Sequence, residues 1–206
     1  MKILSNVRNL LATIDKEVDG MGFEGIDRNI ISGAQFDVAL DHAKGIIILL
    51  ENQIYASAYA LARSLFEIFV RAGWMRHCAT DSEVELIIKK DEFRLEFGAM
   101  LDALEKNREW PKALTYLKKQ VWKTMNSYTH GGLQIVSRRL KNSYIEHIVD
   151  ENEVAGLLQI VGAIAFLSFT QMVEMSNAPE KKSEVLRRLL DDLSVWCFPN
   201  HKLEEI

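Results

Sequence analysis

The chain has 206 residues, 48% hydrophobic and 26% charged, an ordinary globular composition with enough length for one substantial core. Its two cysteines, Cys78 and Cys197, are too few and too far apart for a disulfide framework or a metal knuckle, and a reducing cytoplasm fits them best. A formal charge of −4 argues against a generic nucleic-acid binder.

Three prolines and eleven glycines are scattered without a linker, so one helical domain over residues 1–206 is expected, with its core at about 35–176. In chain order, MKILSNVRNLLATIDKEV reads as an amphipathic helix over about residues 2–18, because Asn6, Arg8 and Asn9 interrupt the apolar run that a signal peptide needs. A glycine-punctuated loop through Gly33 precedes a helix over about residues 35–51, and a third helix covers about residues 55–79. Thr80 with Glu83 is a capping-box pattern opening a helix that runs to about Lys106. Trp110-Pro111 opens a fifth helix, Gly131-Gly132 interrupts it, and helical spacing resumes from Leu133 to Lys141. A helix over about residues 151–176 and a last one over about 179–196 follow, with Glu180 and Glu184 spaced to support Arg187 and Arg188. The apolar run from Val154 to Val173 contains Gln159, Ser168, Thr170 and Gln171, so it reads as a buried core helix and no membrane association is expected. The predicted architecture is all-α, an up-and-down helical bundle with peripheral N- and C-terminal helices.

Charge is unevenly distributed. Between Arg108 and His147 eight basic residues face two acidic ones, making that segment +6 within a chain of −4. Lys119, Lys123, Arg138, Arg139 and Lys141 are the candidate phosphate-binding residues of this segment, the alternative being solvated helix surface.

Two polar clusters stand out. In the third helix Arg63, Glu67 and Arg71 recur every four residues among alanine, leucine, phenylalanine and valine, so they share one face of a helix that should be mostly buried. Buried charge must be paired, which makes Arg63 and Glu67 either a structural ion pair or the wall of a polar pocket. The second cluster is MNSYTHGG, residues 125–132, where Asn126 and Ser127 neighbour His130 on a helix face. Histidine exchanges protons near neutrality, and the glycines after it let a substrate backbone approach closely. The alternative is a plain helix end, with Gly131 as the cap. Trp122, one turn from this cluster, is placed to stack a base. His42 and His147 have carboxylates nearby but no HxxxH or HExxH spacing, so no metal site and no cofactor are expected.

The segment SAYALARSLFEIFVRAGWM together with YTHGG resembles small bacterial all-α proteins of the HEPN superfamily, over about Gln35 to Tyr144. The resemblance implies a helical bundle, commonly dimeric, and for many members a metal-independent endoribonuclease of bacterial defence or toxin–antitoxin systems. Active members carry an arginine, often followed by a polar residue, and a histidine a few positions beyond. Asn126 matches the polar residue and His130 the histidine, but Met125 stands where the arginine belongs. Arg71 and His77 meet the spacing formally, yet they lie mid-helix and about 120° apart. Either the chain is a non-catalytic relative, or a distant cation serves His130, with Arg63, Arg138 and Arg71 as candidates in that order.

The expectation is therefore an RNA-binding or RNA-cleaving protein with His130, Arg63, Glu67, Asn126 and Ser127 as catalytic candidates. The alternatives are a non-catalytic dimeric module with a cognate partner protein and a small-molecule pocket among Arg63, Glu67, Ser127 and His130. A shared catalytic role requires Arg63 and His130 to meet in the fold.

Overall fold

The computed structural model describes residues 1–23, 27–146, 148–177 and 179–197. His147, weighed above as a metal ligand, lies outside them. Nine α-helices occupy the described residues: α1 Lys2–Val18, α2 Asp27–Glu51, α3 Tyr55–His77, α4 Asp81–Lys90, α5 Phe97–Asn107, α6 Ala113–Thr129, α7 Leu133–Ser137, α8 Glu151–Met175 and α9 Ser183–Cys197. The protein is an all-α helical bundle, with one short hairpin, β1 Leu140–Lys141 and β2 Tyr144–Ile145, between α7 and α8.

Helix α1 buries Val7, Leu10, Leu11 and Ile14, the three- and four-residue spacing of a single apolar stripe. The antiparallel pair α2 and α3, joined by a short turn, makes the most extensive helix contact. Alanines Ala58 and Ala62 on α3 are fully buried and allow close approach, while Leu65, Phe66, Phe69 and Val70 fill the space between layers. Helix α8 is long and apolar enough to cross a membrane by length and composition, but it packs against α1, α2, α3 and α9 and buries Leu158, Val161, Ile164, Phe169 and Met172. Helix α9 covers α8 through Leu189, Leu193 and Cys197, and on its outer face Glu184 and Asp191 flank Arg187 at 2.8 and 3.2 Å.

Four local expectations are corrected. Helix α2 starts at Asp27, before the glycine read as part of a loop, because Gly33 is a contact glycine: a Cβ there would lie 2.7 Å from the Phe23 ring. The early start also lets Arg28 donate to the Met75 and Ala79 carbonyls at the end of α3, at 3.1 and 2.6 Å. The helix opened by Thr80 has its capping box, with Thr80 N–H donating to Glu83 at 2.8 Å, but stops at Asp91, which turns left-handed with φ +52°, and α5 begins anew at Phe97. Pro111 precedes α6, whose N-cap is Lys112. After α7 the chain forms a hairpin instead of more helix, since Asn142 and Ser143 both take positive φ, 49° and 68°, as a tight primed turn requires.

Where α3 ends, the His77 Nε2–H donates to Gln171 Oε1 at 2.6 Å, and Arg76 donates to the same oxygen at 3.1 Å and pairs with Glu174 at 3.2 Å. Burial pushes the His77 pKa below its ordinary value, and burial acts on His42 in the same direction. The unfolded chain therefore takes up these protons first, so stability is full above about pH 6.5 and declines as the pH falls below it. Thermal melts should show Tm dropping by about 2–4 °C or more between pH 7.5 and 5.5, with a shallower slope in His77→Gln. A pH-independent Tm across that range, or an unchanged slope in the variant, would contradict this assignment.

Candidate functional site between α3 and α6

On α3, the four-residue spacing brings the Arg63 Nε–H to Glu67 Oε1 at 2.9 Å, with the two side chains about one fifth exposed. On α6, the chain ends its last turn at His130, whose N–H donates to the Asn126 carbonyl at 3.0 Å. Gly131 takes φ +67°, and the Gly132 N–H reaches back to the Ser127 carbonyl at 2.7 Å, the six-to-one bond of a Schellman turn. The same turn leaves the imidazole exposed beyond the helix.

The two clusters meet. Arg63 Nη1 lies 2.7 Å from His130 Nε2. A guanidinium has only donors, so in this contact Nε2 accepts and the ring N–H is the one on Nδ1. The Arg63 guanidinium also sits over the Trp122 ring, 5.0 Å from its centroid, and Phe97 at the start of α5 stacks on Trp122 with centroids 4.7 Å apart and planes 7° from parallel. Trp122 thus carries Phe97 stacked on its ring and Arg63 over it, which is the packing role open to it in the sequence.

The other candidates for the missing cation lie elsewhere. Arg71 covers the Phe93 ring at 5.0 Å. Arg138 is ion-paired with Glu153 and hydrogen-bonded to Tyr128. Met125, at the arginine position of the HEPN pattern, is turned into the core and 4% exposed. The Ser127 hydroxyl accepts the Gln134 N–H at 3.1 Å, which ties α6 to α7. Asn126 borders a groove on the α5 side, its Oδ1 buried and without a hydrogen bond.

That groove, about 490 Å³, runs between α5 and α6 and is lined by Lys118, Lys119, Lys123, Asp102, Thr115 and Trp122. Of the predicted basic residues, Lys119 and Lys123 are exposed on it, and Lys118 joins them. Arg138 and Arg139 instead border a separate pocket of about 30 Å³ beside Tyr59 and Tyr128, and Lys141 pairs with Glu146 across the hairpin at 3.1 Å. The positive segment therefore divides in two, one part facing the groove and one part in which Arg138 and Lys141 are paired with Glu153 and Glu146. Among the described residues no group of three His, Cys, Asp or Glu side chains is arranged to hold a metal ion.

Lys118, Trp122, Asn126 and His130 follow one another at intervals of four and share one face of α6, of which only Lys118 is not singled out by the sequence. Because Gly131 alone on this turn adopts the left-handed region, Gly131→Ala should lower stability by about 1–2 kcal/mol in urea denaturation, and the His130 side-chain resonances should shift with it. Unaltered stability and resonances would show that the turn does not set the position of the ring.

The chain matches the model of DUF6988, a family of unknown function, over residues 36–194. No curated protein and no solved structure matches it. The matched segment contains α3, α5 and α6, hence Arg63, Glu67, Phe97, Trp122 and His130 together. A match spanning most of the chain and every element of the candidate site makes this protein a member of the DUF6988 family.

Proposed function

We propose that this protein binds RNA along the α5–α6 groove and cleaves it at His130, as a metal-independent endoribonuclease of a bacterial defence or toxin–antitoxin system. The observation that carries the reading is the 2.7 Å contact between Arg63 and an exposed His130 at the end of a lysine-bearing helix. The HEPN resemblance calls for an arginine and a histidine acting on one phosphate, and this contact supplies the pair from two helices instead of one.

The chemistry follows from the donors and acceptors present. A phosphate entering beside Arg63 draws its N–H donors onto a non-bridging oxygen, where they oppose the charge that builds during displacement. Nε2, released from Arg63, takes the proton of the ribose 2′-hydroxyl. The 2′-oxygen forms its bond to phosphorus as the bond to the 5′-oxygen breaks, and that oxygen takes a proton from water, leaving a 2′,3′-cyclic phosphate and a 5′-hydroxyl. Glu67 keeps the guanidinium oriented, Lys119 and Lys123 hold neighbouring phosphates, and Asn126 lines the approach. Ser127 serves the fold through its bond to Gln134.

Cleavage of end-labelled RNA tests this. His130→Ala should lower kcat by about 100-fold or more, and Arg63→Lys by a similar factor, because an ammonium reproduces the charge without the fork. Replacing Lys119 and Lys123 by alanine should mainly raise KM and reduce the slope of log affinity against log salt by about 1.4, two single-strand phosphates' worth. Wild-type protein without cleavage under any condition, or full activity in His130→Ala, would end the nuclease reading.

A second reading is a non-catalytic dimeric module. Buried Met125 favours it, as do the exposed apolar side chains Leu133, Tyr144 and Ile145, which are 75–85% accessible. Light scattering after gel filtration should then report a dimer that Ile145→Asp weakens, with no turnover of RNA. A monomer at every concentration would remove it.

A further inference from the structure

We propose that the Phe97–Trp122 stack is the positioning device for Arg63, a clamp through which α5 sets the alignment of Arg63 with His130. The inference rests on reading Arg63 and His130 as one site, and it concerns residues to which neither the sequence motifs nor the proposed chemistry gives that part.

Arginine has a long, rotamer-rich side chain, and one on a helix face has room to turn its head into water. Glu67 fixes only the Nε edge, at 2.9 Å. What confines the plane of the guanidinium is the indole, 5.0 Å away. The indole is itself braced. Phe97 lies nearly parallel to it at 4.7 Å, and Phe66, fully buried, meets both rings edge-on, at 6.4 Å for Trp122 and 5.6 Å for Phe97. The rings thus couple the core to a partly exposed cation, with α3 contributing Phe66, α5 Phe97 and α6 Trp122. Lys118 Nζ, 5.4 and 5.5 Å from the Phe97 and Trp122 centroids, places the groove against the same stack.

The His130 tautomer reports the clamp without any need for activity, because Arg63 holds the proton on Nδ1 whereas a free neutral imidazole prefers it on Nε2. Side-chain ¹⁵N spectra of the full chain should show the Nδ1–H form in wild type and in Trp122→Phe, and its loss in Arg63→Gln and Trp122→Leu. Should Trp122→Leu fail to fold, Phe97→Leu is read the same way. If RNA is cleaved, Trp122→Leu should lower kcat about tenfold, and Trp122→Phe should restore most of it. Folded Trp122→Leu or Phe97→Leu protein that keeps the Nδ1–H signal, or wild type that lacks it, overturns the clamp. Loss of the signal in protein that never cleaves RNA sinks the nuclease reading and leaves the clamp standing.

Discussion

A guanidinium on a helix as apolar as α3 has to be solvated by the protein, and the way Arg63 is solvated organises the candidate site. Its charge is met by Glu67 one turn away, its plane by Trp122, and its Nη1 edge by His130. Partial burial makes each of these contacts count for more than it would in water, and makes the loss of any one costly. Helices α3, α5 and α6 are therefore tied together around a cation as well as through an apolar core. The core itself would accept many rearrangements of similar volume, whereas the cation accepts few.

In the MNSYTHGG segment a helix end and an exposed histidine coincide. Gly131 and Gly132 stop α6 through a turn that satisfies its last carbonyls, and that same turn carries His130 past the helix into solvent beside Arg63. Side chains within a few residues have different employment. Met125 fills the core, Ser127 fastens α7, and His130 faces outward, as the 100° step of a helix dictates.

The electrostatic pattern divides likewise. The basic segment from Arg108 to His147 is continuous in sequence, but in space the α6 lysines open onto a groove while Arg138 and Lys141 answer to Glu153 and Glu146. A local positive field therefore concentrates along α6 in an otherwise acidic chain. In the proposed reading that is where phosphates enter. In that same reading, the arginine that the HEPN pattern places a few residues before the histidine has its counterpart on a different helix.

The periodicity of the chain determined that it is helical and where most helices lie. The Thr80 capping box and the apolar stripes of α1 and α8 were legible because they arise from neighbours three or four residues apart. The same local logic exposed Arg63 with Glu67, and Asn126 with His130, as two polar clusters. It places Gly33 in a loop and residues 138–141, which lead into the hairpin, in a helix, because a close ring contact and a tight turn without glycine leave little trace in spacing. Only the tertiary structure decided that Arg63 touches His130, that Trp122 belongs to the arginine, and that the basic residues serve separate surfaces. Those relations join positions 59 to 67 residues apart, and contact across such separations is set by how whole helices pack, which no short window of sequence contains.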